Sequence, residues 1–97
     1  EDIRRAREGL RKCREAMLSG DYHIVVLDEV NTAVLLKVLT TQEVLDFLDD
    51  KPGGVELVLT GRGAPQAVVD RADLVTEMKE IKHYFDRGVK AREGIEK

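Results

Sequence analysis

Two short stretches hold the side chains whose types and spacing could do chemistry. In "HIVVLDEVN", residues 23–31, four apolar residues run straight into Asp28 and Glu29. Carboxylates at the end of a buried strand are hard oxygen ligands, suited to Mg²⁺, which keeps several waters and shares its other positions with substrate phosphates. In "TGRG", residues 60–63, glycines on either side of Arg62 let the backbone turn sharply and approach a ligand closely. Arg62 offers a planar fork of donors that matches phosphate oxygens. Taken singly, each has a plain alternative. An isolated apolar run ending in Asp-Glu is more often an acidic turn that helps cap the next helix, and Thr60-Gly61-Arg62-Gly63 would serve equally as a tight strand-to-helix loop with a solvated Arg. On adjacent parallel strands the two would bring acid and base to one rim of a sheet, where open α/β folds gather ligands.

A nucleotide site of this kind also needs a Gly-rich loop with Lys and Ser or Thr to hold the phosphates. No such loop occurs in these 97 residues. His83 has no partner histidine or thiol near it in sequence and reads as a packing or hydrogen-bonding residue. There is no Ser–His–Asp or Cys–His arrangement and no zinc spacing.

The elements that must position these groups follow from periodicity. Ile3, Ala6, Leu10, Cys13 and Met17 form one apolar stripe on a helix over residues 3–18, and Ser19-Gly20-Asp21 ends it. The stripe is expected to pack on a sheet, with Cys13 as inert core. Residues 24–27 are apolar at every position, which suits a strand covered on both faces. Residues 31–39 read as helical. Thr40 with Glu43 is a capping box for a helix over residues 41–50, whose apolar face is Val44, Leu45 and Leu48. Pro52-Gly53-Gly54 stops it. A second strand is predicted at residues 55–59, a short helix from Pro65 to near Arg71, and a third strand at residues 74–78. Helix alternating with strand implies an α/β fold, a parallel sheet of about three strands with crossover helices. Residues 1–78 would be its core; residues 79–97 read as a charged tail with an aromatic pair, Tyr84-Phe85.

At 97 residues the chain is one small domain, 42% hydrophobic and 36% charged, with no low-complexity tract. A net charge of −3 gives no reason to expect nucleic acid or an anionic membrane as partner. No apolar run has the length of a membrane span. Cys13 is the single cysteine, so no internal disulfide can form and a reducing cytoplasm is the expected setting. The first residue is Glu1 within a charged amphipathic helix, and the N-terminus is expected to lie upstream.

"VVLDEVN", "TGRGAP" and "ADLVTEMKEIKHYFDRGVKAREGIE", in that order, closely resemble the ATP:corrinoid (cob(I)alamin) adenosyltransferases of the bacterial cobalamin pathway. The resemblance covers the whole chain, and the tail pattern K-H-x-F-D-x-G-V-K-A-x-x-G-I is its most specific part. It implies a phosphate-loop NTPase-like fold, usually a homodimer, that transfers the 5′-deoxyadenosyl group of ATP to the Co(I) of a reduced corrinoid and releases triphosphate. It implies Glu29 as a Mg²⁺ contact with Asp28 in support, Arg62 with Thr60, Gly61 and Gly63 at the nucleotide, and Asn31 close by. Lys82, His83, Phe85, Asp86, Gly88, Val89 and Lys90 match the tail pattern, with a role in ordering the site or the dimer.

The family's phosphate loop and most of its corrinoid contacts lie upstream of the residues present, so the chain is expected to be the C-terminal portion of one nucleotide-binding domain, inactive when alone, and either self-associating or accompanied by the other half. Lys97 stands where an aromatic residue often closes the family's chain, and Glu80 replaces a common Pro. Two other readings stay open: another phosphate-loop ATPase that uses Glu29 to position water, and a non-catalytic assembly remnant.

Overall fold

The computed structural model describes residues 1–79. In chain order they form α1 (Asp2–Ser19), β1 (Ile24–Leu27), α2 (Val30–Leu35), α3 (Thr41–Asp49), β2 (Glu56–Leu59) and α4 (Gln66–Arg71). The two strands are parallel, with Ile24 opposite Glu56 and Leu27 opposite Leu59. A parallel pair needs a crossover, and α2 and α3 supply it. The fold is thus α/β, as its alternating elements predict.

α1 ends where Gly20 takes φ 83°, a left-handed cap that a residue without Cβ adopts at little cost. The Ser19 hydroxyl donates to the Ala16 carbonyl at 2.7 Å and accepts from the Asp21 N–H at 3.1 Å, satisfying groups the last turn leaves orphaned. The apolar stripe faces β1: Met17 is fully buried, and Ala6, Leu10 and Cys13 pack against the core. At the start of α3 the Thr40 hydroxyl accepts from the Glu43 N–H while the Glu43 carboxylate accepts from the Thr40 N–H, the reciprocal pair that the spacing predicts. The core joins Met17 to Val25, Leu27, Val30, Leu39, Val44, Phe47, Val55 and Val68. Arg7–Glu43 and Arg14–Asp50 ion pairs brace α1 against α3, and Arg71–Asp49 ties α4 to it.

Four expectations are corrected. The sheet has two strands among the described residues, not about three: residues 74–78 carry no strand ladder, and Leu74 and Met78 are 83% and 92% exposed. A strand is defined by its ladder, and no backbone hydrogen bond reaches this segment from β1 or β2. Among the described residues β1 is covered on one face only. Val25 and Leu27 point into the core, whereas Ile24, Val26 and Val58 lie on the open face. An all-apolar strand presents apolar side chains on two faces, and α1 covers one of them among the described residues. α2 is shorter than residues 31–39, because Lys37 turns to φ 62° and breaks the helical path. In α3 the core-facing partner of Val44 is Phe47, 2% exposed, while Leu48 is half-buried. The tail positions 82–97, with His83 and the rest of the tail pattern, lie outside the described residues.

Candidate functional site

The carboxyl ends of β1 and β2 are neighbours because the strands are parallel and in register, so the next residues on each, Asp28 and Thr60, start side by side. Thr60 joins them in both directions. Its N–H extends the ladder to the Leu27 carbonyl at 3.2 Å, and its carbonyl accepts from the Asn31 N–H at 3.0 Å. Its hydroxyl donates to Asp28 Oδ1 at 3.0 Å and accepts from the Glu29 N–H at 2.8 Å. One threonine side chain thereby fixes the Asp28 carboxylate and the turn that carries Glu29.

Glu29 sits in the left-handed region at φ 62°. A non-glycine residue there costs roughly 1–2 kcal/mol, so neighbouring bonds must hold it. They are on hand: the Thr60 hydroxyl takes its N–H, its carbonyl accepts from the Ala33 N–H at 3.0 Å, and its Oε2 accepts from the Thr32 hydroxyl at 2.7 Å. The same Thr32 oxygen accepts the Arg62 N–H at 3.0 Å. Arg62 is thus tied by its backbone to the acidic loop while its guanidinium stays exposed. Among the described residues Arg7, Arg14 and Arg71 are engaged in ion pairs between elements, and Arg62 is not.

The two glycines of the loop do different work. Gly61, at φ 122°, leaves no room for a side chain: a Cβ would stand 2.7 Å from the Thr32 nitrogen and 2.8 Å from its hydroxyl. Gly63, at φ 64°, faces the side chain of Leu35 at 3.2 Å. Close approach of the loop to α2 is therefore what Gly61 permits. Asn31 is 6% exposed, and its Oδ1 has no hydrogen-bond partner among the described residues. A buried acceptor left open costs about 1–3 kcal/mol, and in native structures such a group is usually met by a water or a ligand donor.

The structure brings Asp28, Glu29, Asn31, Thr60, Gly61, Arg62 and Gly63 to one rim. Thr32 escaped the sequence reading, although its place three residues after Glu29 at the head of a short helix is the spacing at which side chains meet. Leu35 escaped too, because its role is to floor a glycine and not to bind.

Whether the rim suits Mg²⁺ is decided by its donors. Among the described residues no group of three or more His, Cys, Asp or Glu side chains converges. Two carboxylates, each with one oxygen engaged by a threonine hydroxyl and the other outside that contact, fall short of a self-sufficient cage. They fit the requirement of Mg²⁺, which takes one or two carboxylates and completes its shell with water and phosphate. Two shallow hollows, about 460 and 340 Å³, run along α1 and its seam with α3, away from this rim.

Parallel strands with an acidic loop and a glycine-flanked arginine at their carboxyl ends define an α/β protein whose polar loops gather at the strand ends. The chain belongs to the family described as ATP:corrinoid adenosyltransferase BtuR/CobO/CobP, whose model matches residues 1–96. It is similar to a corrinoid adenosyltransferase of Sinorhizobium sp, 40% identical over 96 residues, covering 98% of this chain and 45% of that protein. A corrinoid adenosyltransferase of Pseudomonas aeruginosa is 37% identical over 95 residues, covering 98% of this chain and 47% of its own length. The corrinoid adenosyltransferase CobA of Salmonella typhimurium is 42% identical over 73 residues, 75% of this chain and 37% of its own. The chain spans about half the length of the first two relatives and less of the third.

Proposed function

We propose that the whole protein transfers the 5′-deoxyadenosyl group of ATP to the Co(I) centre of a reduced corrinoid such as cob(I)alamin, on a phosphate-loop NTPase-like fold. The observation that carries this reading is the hydrogen-bonded union of Asp28-Glu29 with Thr60-Gly61-Arg62-Gly63 at one sheet rim. In the reaction the cobalt's electron pair forms the Co–C bond to the ribose 5′ carbon. The C5′–O bond breaks, and its electrons leave with triphosphate. The substrate supplies the nucleophile, so the reaction asks no base of the protein.

What these residues would contribute is orientation and charge. Glu29 and Asp28 would hold Mg²⁺, which when bound neutralises charge on the triphosphate. The exposed Arg62 fork would take phosphate oxygens, and the open Asn31 Oδ1 would accept a donor at the nucleotide or from its water. Thr60, Gly61 and Gly63 would keep the loop close enough for these contacts. No Gly-rich loop with Lys and Ser or Thr lies in residues 1–97, so these residues by themselves are not expected to turn over. The reading takes the protein as a cytoplasmic homodimer. No helix of the described residues is long and apolar enough to cross a membrane.

The test is product identity. The whole protein, supplied with ATP, Mg²⁺ and chemically reduced cobalamin, should yield adenosylcobalamin and triphosphate in equal amounts. ADP and phosphate formed at the same rate without corrinoid would replace this reading with that of an ATPase.

A further inference from the structure

The hydroxyl of Thr32, which belongs to neither loop, bonds to both the acidic loop and the arginine loop. It donates its only proton to Glu29 Oε2 at 2.7 Å and accepts the Arg62 N–H at 3.0 Å. Gly61 brings the loop against it, with no space for a Cβ between them. A glutamate has three rotatable bonds, and an exposed one samples many rotamers; anchoring Oε2 leaves Oε1 with a defined direction. The donated bond also polarises the hydroxyl, which makes its lone pair a better acceptor for Arg62. A side chain placed only to finish a helix turn would need neither partner.

We propose that Thr32 is a positioning residue: its hydroxyl orients the Glu29 carboxylate for Mg²⁺ and links metal binding to the backbone of the loop that carries Arg62. The inference rests on the reading of Glu29 as a metal carboxylate and adds to it a residue that touches neither metal nor substrate. Two consequences follow. Loss of the hydroxyl weakens Mg²⁺ at Glu29, and it also loosens the arginine loop, so metal and nucleotide affinity fall together. A partner that orients a metal's carboxylate typically sets affinity by about 10–100-fold.

The test uses the whole protein and reads binding, not turnover: the Mg²⁺ concentration at which ATP binding is half-maximal, measured by calorimetry. Thr32→Val, similar in shape but without the hydroxyl, should raise that concentration by about tenfold or more. Thr32→Ser, which keeps the hydroxyl, should stay close to the unaltered protein. Should Thr32→Val fail to fold, Thr32→Ala removes the hydroxyl without crowding Gly61 and carries the same expectation. Glu29→Gln is the control for the underlying reading. If Glu29→Gln shifts the Mg²⁺ requirement and Thr32→Val does not, the role of Thr32 is overturned and the metal reading stands. If Glu29→Gln shifts nothing, the metal reading itself fails. A Thr32→Ser protein that is impaired while Thr32→Val is not would show that packing of the methyl, not the hydroxyl, matters.

Discussion

Replacing Gly61 by alanine adds one methyl group at the seam between the two loops. The residue sits at φ 122°, where an L side chain strains the backbone by about 1–3 kcal/mol. The new Cβ would stand 2.7 Å from the Thr32 nitrogen and 3.2 Å from the Asn31 Cβ. The nearest obstacle is backbone, so the loop must move away from α2 rather than a side chain turning aside, an overpacking penalty of about 1–3 kcal/mol. Moving it stretches the Arg62 N–H bond to Thr32, a net contribution of about 1 kcal/mol. Partial relaxation makes these overlap, and a total of roughly 3 kcal/mol is expected, a large share of the 5–15 kcal/mol that holds a typical domain. Gly63→Ala is the matched control. At φ 64° it meets the left-handed penalty of about 1–2 kcal/mol. The nearest atoms it meets among the described residues belong to the Leu35 side chain, which is 54% exposed and can swing away. Urea denaturation of the whole protein, compared at constant slope, should place Gly61→Ala well below Gly63→Ala, by about 1–2 kcal/mol. Equal losses, within about 0.5 kcal/mol, would refute the claim that close loop-to-helix approach is what Gly61 provides.

Two further outcomes follow from the elements that hold the rim. Thr40→Ala removes one half of the reciprocal cap on α3 and should lower stability by about 1 kcal/mol in the same denaturation assay, with Thr40→Ser recovering most of it. The hydrogen bond from Arg7, aided by the Thr40 N–H, holds the Glu43 carboxyl below the ordinary glutamate range. A lowered folded pKa means that the unfolded chain binds more protons in that window, so the contribution is present above about pH 4.3 and fades as pH falls below it. Stability measured against pH should therefore show a gap between the unaltered protein and Glu43→Gln at neutral pH that closes on acidification.

Much of this arrangement was legible before any coordinates. β1 was found at its observed bounds because apolar β-branched residues end abruptly at two carboxylates, and the α3 cap because Thr40 and Glu43 stand at the one spacing that closes the box. The stripe on α1 identified the side that meets β1. The two misses on the sheet share a cause: local pattern does not specify how many neighbours an element will have. Residues 74–78 have strand composition, yet a ladder depends on an adjacent edge. The all-apolar β1 implied two covers, while α1 lies on one face among the described residues. Phe47 displaced Leu48 from the core because the helix phase, set by its cap, turns one residue from where an apolar triplet suggests. At the rim, Asp28, Glu29 and Arg62 announced themselves by charge and by glycine context. Thr32 did not, since a lone threonine in a short helix acquires meaning only from the partners the fold brings to it.

The central claim is that the acidic loop and the arginine loop act as one site. A double-mutant cycle tests it most directly, with Mg²⁺-dependent ATP affinity measured for the whole protein, for Glu29→Gln, for Arg62→Ala and for both together. Residues in one network couple by about 0.5–3 kcal/mol, whereas independent sites add to within about 0.3–0.5 kcal/mol. The account predicts that the double variant departs from additivity by more than 0.5 kcal/mol. Losses that simply add, or an Arg62→Ala protein that binds ATP unchanged, would contradict it.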